Sequence, residues 1–185
     1  MSVYMSSALA LTARREDLYL KRLRTSEASD GTILAGIPSP LLLIGLLQCL
    51  LVVAIVAVFG SEVPANPLLL AITVLLGLAM SAFLGMASTG LVSGTQQADM
   101  ATMPFFAVLV GTGVWAGFGG ADGPDLEHLL SPGGAVLDAV LLAYDHERTL
   151  AEQLGQALPA IGVLLAWTAL GVLGVHRLFR WEPRH

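Results

Sequence analysis

Arg15, Glu16, Lys21, Arg22 and Arg24 fall within ten residues near the start of a 185-residue chain that carries little charge elsewhere. With Arg14 included, five of the nine basic residues lie between positions 14 and 24. Next to apolar spans, such a cluster marks the cytoplasmic side, where Lys and Arg are retained during insertion. Its spacing predicts a short helix over 14–26. Asp17 precedes Lys21 by four positions, the better order for a helical ion pair, and Tyr19 and Leu23 share a face. The expected element is an interfacial helix that shows charge to water and a few apolar side chains to a partner.

Other residue types capable of chemistry are sparse. Cys49 is the single cysteine and lies in an apolar run, so it reads as a small buried hydrophobe, with no disulfide framework or thiol metal site. Asp99 is the only ionisable residue close to a span and reads as a turn residue. His128, Asp145, His146 and Glu147 fall in one loop, but no spacing favours a metal; they read as solvated. There is no G-x-x-x-x-G-K-[ST] phosphate loop, no H-E-x-x-H and no G-x-S-x-G. The expectation is a chain with no catalytic, cofactor-binding or metal-binding residues, and not an enzyme. The weak basic balance also argues against nucleic acid as a partner.

The surroundings of these residues are mostly membrane. Apolar residues make up 55% of the chain and charged ones 12%, with a mean hydropathy of +0.75; a soluble domain carries about 25% charged residues. The fold class expected is all-α: a polytopic membrane helical bundle, one transmembrane domain over 1–185, with about four spans at 41–59, 68–92, 104–118 and 158–176. Residues 1–13 read as the end of a further helix. Between Gly31 and His176 the only basic residue is Arg148, against nine acids from Glu62 to Glu152. Both ends are therefore expected in the cytoplasm, and the middle loops outside the cell membrane.

Within the spans, 41–59 has Gln48 as its only strongly polar residue. Gly77, Ser81 and Gly85 recur every four positions, a stripe that lets another helix approach closely. Residues 93–103 read as a tight cytoplasmic turn, and Pro104 as the first residue of a short span containing Gly113-x-x-x-Gly117. Residues 119–157 form the one long external loop, with seven acids and one base. Two short helices are expected there, at 124–130 and 135–143, separated by Pro132-Gly133-Gly134; the second is expected to dip into the outer membrane face. Trp167 reads as an apolar filler of the last span, and the basic and aromatic run from His176 to Trp181 as its cytoplasmic anchor.

The spans hold none of the buried charges that ion-coupled carriers use, so energy for any transport would come from another chain. A charged cytoplasmic helix leading into an apolar bundle suits docking on a separate motor. Here a family resemblance enters. The run Arg15-Glu16-Asp17-Leu18-Tyr19-Leu20-Lys21-Arg22-Leu23-Arg24-Thr25-Ser26 resembles the cytoplasmic loop of type 2 ABC-exporter permeases, whose pattern is roughly R-E-x-G-T-L-x-x-L-R-x-[ST]-P. The layout that follows is similar across the rest of the chain: two spans, a polar turn at Thr95 to Ala98, a Gly-rich span, an outer segment of small re-entrant helices with Pro-Gly, and a final span ending Arg-Trp-Glu-Pro-Arg.

Leu18-Tyr19 stands where that family has Gly-Thr, and Glu27 where it has Pro. The family has six spans, so the resemblance makes 1–13 the stub of the second and the chain a truncated or a short form. It implies a permease subunit that lines the substrate path, pairs with a second permease subunit and docks on an ABC ATPase subunit. It also makes 14–26 a coupling helix, with Arg15, Glu16, Lys21, Arg22 and Arg24 transmitting the ATPase stroke. The alternative expectation is a non-transporting membrane scaffold, an accessory subunit or an inactive permease fragment.

Overall fold

A computed structural model of the chain describes residues 36, 39–60, 63–88, 95–118 and 126–178, with the side chains of 95–102 excepted. The expected helix end at 1–13 and the expected coupling helix at 14–26, with Arg15, Glu16, Lys21, Arg22 and Arg24, lie outside the described residues. So does the end of the expected anchor, Arg180-Trp181 included. Every element described is a helix: α1 (Ser39–Phe59), α2 (Pro67–Ser88), α3 (Thr95–Phe118), α4 (Leu126–Leu130), α5 (Pro132–Tyr144) and α6 (Leu150–Leu178). No strand occurs among the described residues.

Among the described residues, three helices are long and apolar enough to cross a membrane: α1, α2 and the Leu150–Arg177 part of α6. The chain reads as a multi-pass membrane protein on that ground. The apolar part of α3, Met103–Phe118, is shorter, as is α5. At 1.5 Å per residue the 13 residues of α5 reach about 20 Å, too little to cross roughly 30 Å of hydrocarbon.

Local sequence explains where the helices start. Asn66 precedes Pro67, and its Oδ1 accepts from the Leu69 backbone N–H at 3.0 Å, an N-cap with proline at the first helical position. Thr149 and Glu152 form a capping box on α6. The Thr149 N–H donates to Glu152 Oε2 at 2.9 Å, and the Glu152 N–H to Thr149 Oγ1 at 3.4 Å.

Several boundaries differ from the sequence reading. The expected turn at 93–103 is helical from Thr95, so Pro104 sits inside α3 rather than at its start. Asp99 is thereby a helical residue and not a turn residue. The final helix begins at Leu150, inside the expected external loop, because the Thr149 capping box nucleates it there; Pro159 lies within it. Pro132-Gly133-Gly134 is the first turn of α5, not a break, because Ser131 supplies the cap.

Contacts divide the chain into two compact units. In the unit formed by Met1–Gly45, Ala79–Phe106 and Thr168–His185, the buried residues include Met80, Ala82, Met86, Ala87 and Val175. Bare backbone makes the closest approach there. A Cβ on Gly171 would stand 2.9 Å from Phe83 Cβ, and one on Gly174 would stand 2.8 Å from Ala87 Cβ. Membrane helices gain little from hiding apolar surface from equally apolar lipid, so close small-residue packing supplies the attraction.

The other unit is Leu46–Leu78 with Ala107–Trp167. Ala135, Ala139 and Ala143 repeat every four positions on α5, and Ala157, Ala160 and Leu164 line α6; all six are fully buried. Leu69 and Leu70 pack with Ala143 and Ala157 in one cluster. The Gly77 Cα–H side faces Val136, whose Cγ2 would lie 3.7 Å from a Cβ there. This is ordinary contact with a side chain of α5 at the first residue of the Gly77, Ser81, Gly85 stripe.

Candidate functional site: the capped helical hairpin

Among the described residues, one set of polar ties holds the turn between α4 and α5. Ser131 holds extended backbone angles (φ −77°, ψ 146°) between the two helices. Its Oγ accepts from the Gly134 N–H at 3.1 Å and donates to the His128 carbonyl at 2.6 Å. One hydroxyl thus satisfies an orphan donor of α5 and an orphan acceptor of α4 together.

The hairpin is fastened to α3 by backbone contact. The Gly133 N–H donates to Thr112 Oγ1 at 3.2 Å, and that hydroxyl donates to the Val108 carbonyl at 2.7 Å. A side chain at Gly133 would run into the Leu109 carbonyl and the Gly113 amide, far inside contact distance. At Gly113 a Cβ would lie 3.5 Å from the Gly133 carbonyl, and at Gly117 one would lie 3.6 Å from a Leu137 methyl. The Gly113-x-x-x-Gly117 step is the surface on which α5 seats.

Trp167 is not merely an apolar filler. Its indole Nε1–H donates to the Leu130 carbonyl at 3.1 Å, which ties the last turn of α4 to α6. An α4 of five residues could not hold itself together, since nucleation costs more than so few bonds return. Its stability comes from Ser131 and Trp167.

His128 is buried, at 8% exposure, which corrects its reading as a solvated loop residue. Its ring meets Trp115 edge-on, with centroids 3.9 Å apart and planes at 70°. Among the described residues Nε2 has no hydrogen-bond partner. The exposed turn after α5 is a separate place. There Asp145 accepts from the Glu147 N–H and pairs with Arg148, and His146 Nδ1 lies 2.8 Å from the Tyr144 carbonyl. His128 therefore does not meet Asp145, His146 or Glu147, which follow the far end of α5. No group of three His, Cys, Asp or Glu that could hold a metal occurs among the described residues.

That far end is also pinned. The Asn66 N–H donates to the Ala143 carbonyl at 2.9 Å, and Gln153 Nε2 to the Asp145 carbonyl. Asn66 and Gln153 are 3% and 0% exposed, and among the described residues Asn66 Nδ2 and Gln153 Oε1 have no partners. An unpaired buried polar group costs about 1–3 kcal/mol, so these anchors hold the turn at a net cost elsewhere in the same side chain.

Sequence reasoning passed over Ser131, Thr112, Asn66 and Gln153, and read Trp167 as apolar filler alone. Three local signals were available: Ser-Pro before α5, Asn-Pro before α2 and Thr-x-x-Glu before α6. Nothing local marks Thr112, Gln153 or Trp167, whose partners lie 21, 8 and 37 positions away. Comparison with protein-family models, with curated proteins and with solved structures finds no match.

Proposed function

We propose that the chain is a permease subunit of an ATP-driven exporter of the type 2 ABC kind, embedded in the cell membrane with both ends in the cytoplasm. In this reading α3 crosses the membrane as well, between α2 and α6 in chain order. Its 24 residues reach about 36 Å, long enough to cross although its first two turns are polar. The hairpin α4–α5 re-enters the outer face without crossing it. The segment 14–26 is the coupling helix, where Arg15, Glu16, Lys21, Arg22 and Arg24 meet the ATPase of a partner chain.

The observation that carries the reading is the order of the elements. Two long apolar helices, a Gly-rich third, a pair of short helices joined through Ser-Pro-Gly-Gly, and one long final helix follow each other as the resemblance implies. The sequence has no phosphate loop of its own, so ATP hydrolysis falls to another subunit.

The test is gentle extraction from native membranes, affinity capture and intact-mass measurement of every component. Co-purification of an ABC ATPase in equal number to this chain is the expected result. A complex without any ATPase would leave the scaffold or accessory reading in its place. In a complex that exports, Glu16→Lys should abolish most transport while leaving membrane insertion unchanged; undiminished transport would overturn the coupling assignment.

A further inference from the structure

Among the described residues no ionisable side chain other than His128 is buried. Its Nε2 lies inside the protein, and among the described residues no nitrogen or oxygen bonds to it. What stands beside the ring is the Trp115 indole, nearly perpendicular at 70°, with centroids 3.9 Å apart. Aromatic pairs usually keep roughly 4.5–7 Å between centroids, so this contact is close. The face of an indole is the negative part of its quadrupole, and it accepts an N–H weakly. A ring standing perpendicular presents its rim to that face, and the rim of an imidazole carries its nitrogens.

Few charges compete for His128. α3 has no ionisable residue from Met103 to Phe118, and α6 has none from Gln153 to Val175. On α4 Glu127 adjoins His128 and is exposed; on α5 stand Asp138, which is half-buried, and Tyr144 at the far end. Among the described residues the only ion pair is that of Arg148 with Asp145. Asp122 and Asp125 precede α4 outside the described residues.

We infer that His128 and Trp115 form a proton-responsive clasp between α4 and α3. The neutral ring carries its proton on Nε2 and gives it to the indole face. A second proton, taken from solvent, turns the same contact into a cation–π pair, which is stronger. Histidine is the side chain that ordinarily gains charge between roughly pH 8 and pH 5, so α4 is gripped harder in acid. The clasp stands on the geometry of α3 and α4 and does not depend on the exporter reading.

The first measurement needs no variant. In the full chain, with isotope-labelled histidine and in lipid bilayers, the His128 Nε2–H proton should resonate upfield of the other histidine ring N–H groups. The indole face shields it there; an ordinary position would overturn the clasp. Lowering the pH from about 8 to 5 should then quench about a third of the indole emission, the share of one tryptophan among three. His128→Gln keeps a side-chain N–H but takes up no proton, and should abolish the quenching.

Stability gives the sign. In an Asp138→Asn background, unfolding by SDS should become about threefold less favourable over the same pH range, and Trp115→Leu should remove that gain. Quenching that persists in His128→Gln would assign it to another histidine and overturn the clasp. Easier unfolding in acid, abolished by His128→Gln, would mean that the charged ring is expelled and would also overturn it. So would a gain that survives Trp115→Leu but is lost in Asp122→Asn with Asp125→Asn, since a carboxylate would then be the partner.

Discussion

α1 and α5 are both apolar helices, yet they are held by opposite means. α1 has 21 residues, of which only Gly45 is buried, and Leu43, Leu47, Leu50, Leu51 and Val52 are each more than half exposed. α5 has 13 residues, and six of them are buried: Pro132, Gly133, Gly134, Ala135, Ala139 and Ala143. The difference does not follow apolarity, since α1 has the larger side chains. It follows shape and hydrogen bonding. Glycine and alanine let α5 sit against backbone, and Ser131, Thr112 and Asn66 tie its two ends to other elements. In a bilayer, apolar bulk leaves a helix free to face lipid, whereas small residues and satisfied polar groups decide what it packs against.

The contrast breaks first at Gly133. A methyl group there meets two backbone atoms of α3 that cannot rotate away. Gly133→Ala should lift α5 off Gly113 and cost about 3 kcal/mol, read as a lower midpoint of unfolding by SDS in mixed micelles. Ser131→Ala removes the cap of α5 and the acceptor for the Gly134 N–H, and should cost about 1 kcal/mol in the same assay. Trp167→Phe deletes the bond to Leu130 and trims the indole to a single ring. It should cost about 1 kcal/mol and should loosen α4, seen as faster hydrogen exchange at Leu130 and Ser131. A result in which Trp167→Phe destabilises more than Gly133→Ala would reverse the ranking of backbone packing over polar ties.

Much of this arrangement is legible from residue types, and the gaps have physical causes. The three long spans follow from runs of apolar residues whose length alone sets the reading. The existence of two short helices before the last span follows from the Pro-Gly punctuation around residues 124 and 132. The role of Pro132-Gly133-Gly134 does not. Proline and two glycines mark a break in most contexts, and only the preceding serine and the closeness of α3 turn them into a helix start. The polar beginning of α3 was hidden for a related reason. A polar stretch suggests a turn, but Thr95-Gln96-Gln97-Ala98 carries no residue that stops a helix, so the backbone continues through it. His128 was misread because a loop position on paper is a buried one once Trp115 stands beside it.

A smaller effect concerns Asp138, the one acid on α5. It is half-buried, and burial pushes its carboxyl above its ordinary value. The folded state therefore holds this proton to higher pH than the unfolded chain does. The contribution is fully present below the unfolded value and is lost as pH rises through the raised folded value. Asp138→Asn should flatten that slope and leave stability at low pH unchanged. A slope of opposite sign in the wild-type chain would mean that a cation pairs with Asp138.

The smallest effect expected is on α1, and it tests the comparison from the other side. Leu50 is 57% exposed. Truncating a leucine costs several kcal/mol in a packed core because it removes contacts and leaves a cavity. At Leu50 no cavity forms, since lipid or detergent fills the space as readily as the side chain did. Leu50→Ala should therefore shift the unfolding midpoint by an amount equivalent to about 0.5 kcal/mol or less. A larger loss would show that this face of α1 is covered in the folded protein. The free surface of α1 would then be narrower than its exposure indicates, and its contrast with α5 would be one of partner rather than of packing.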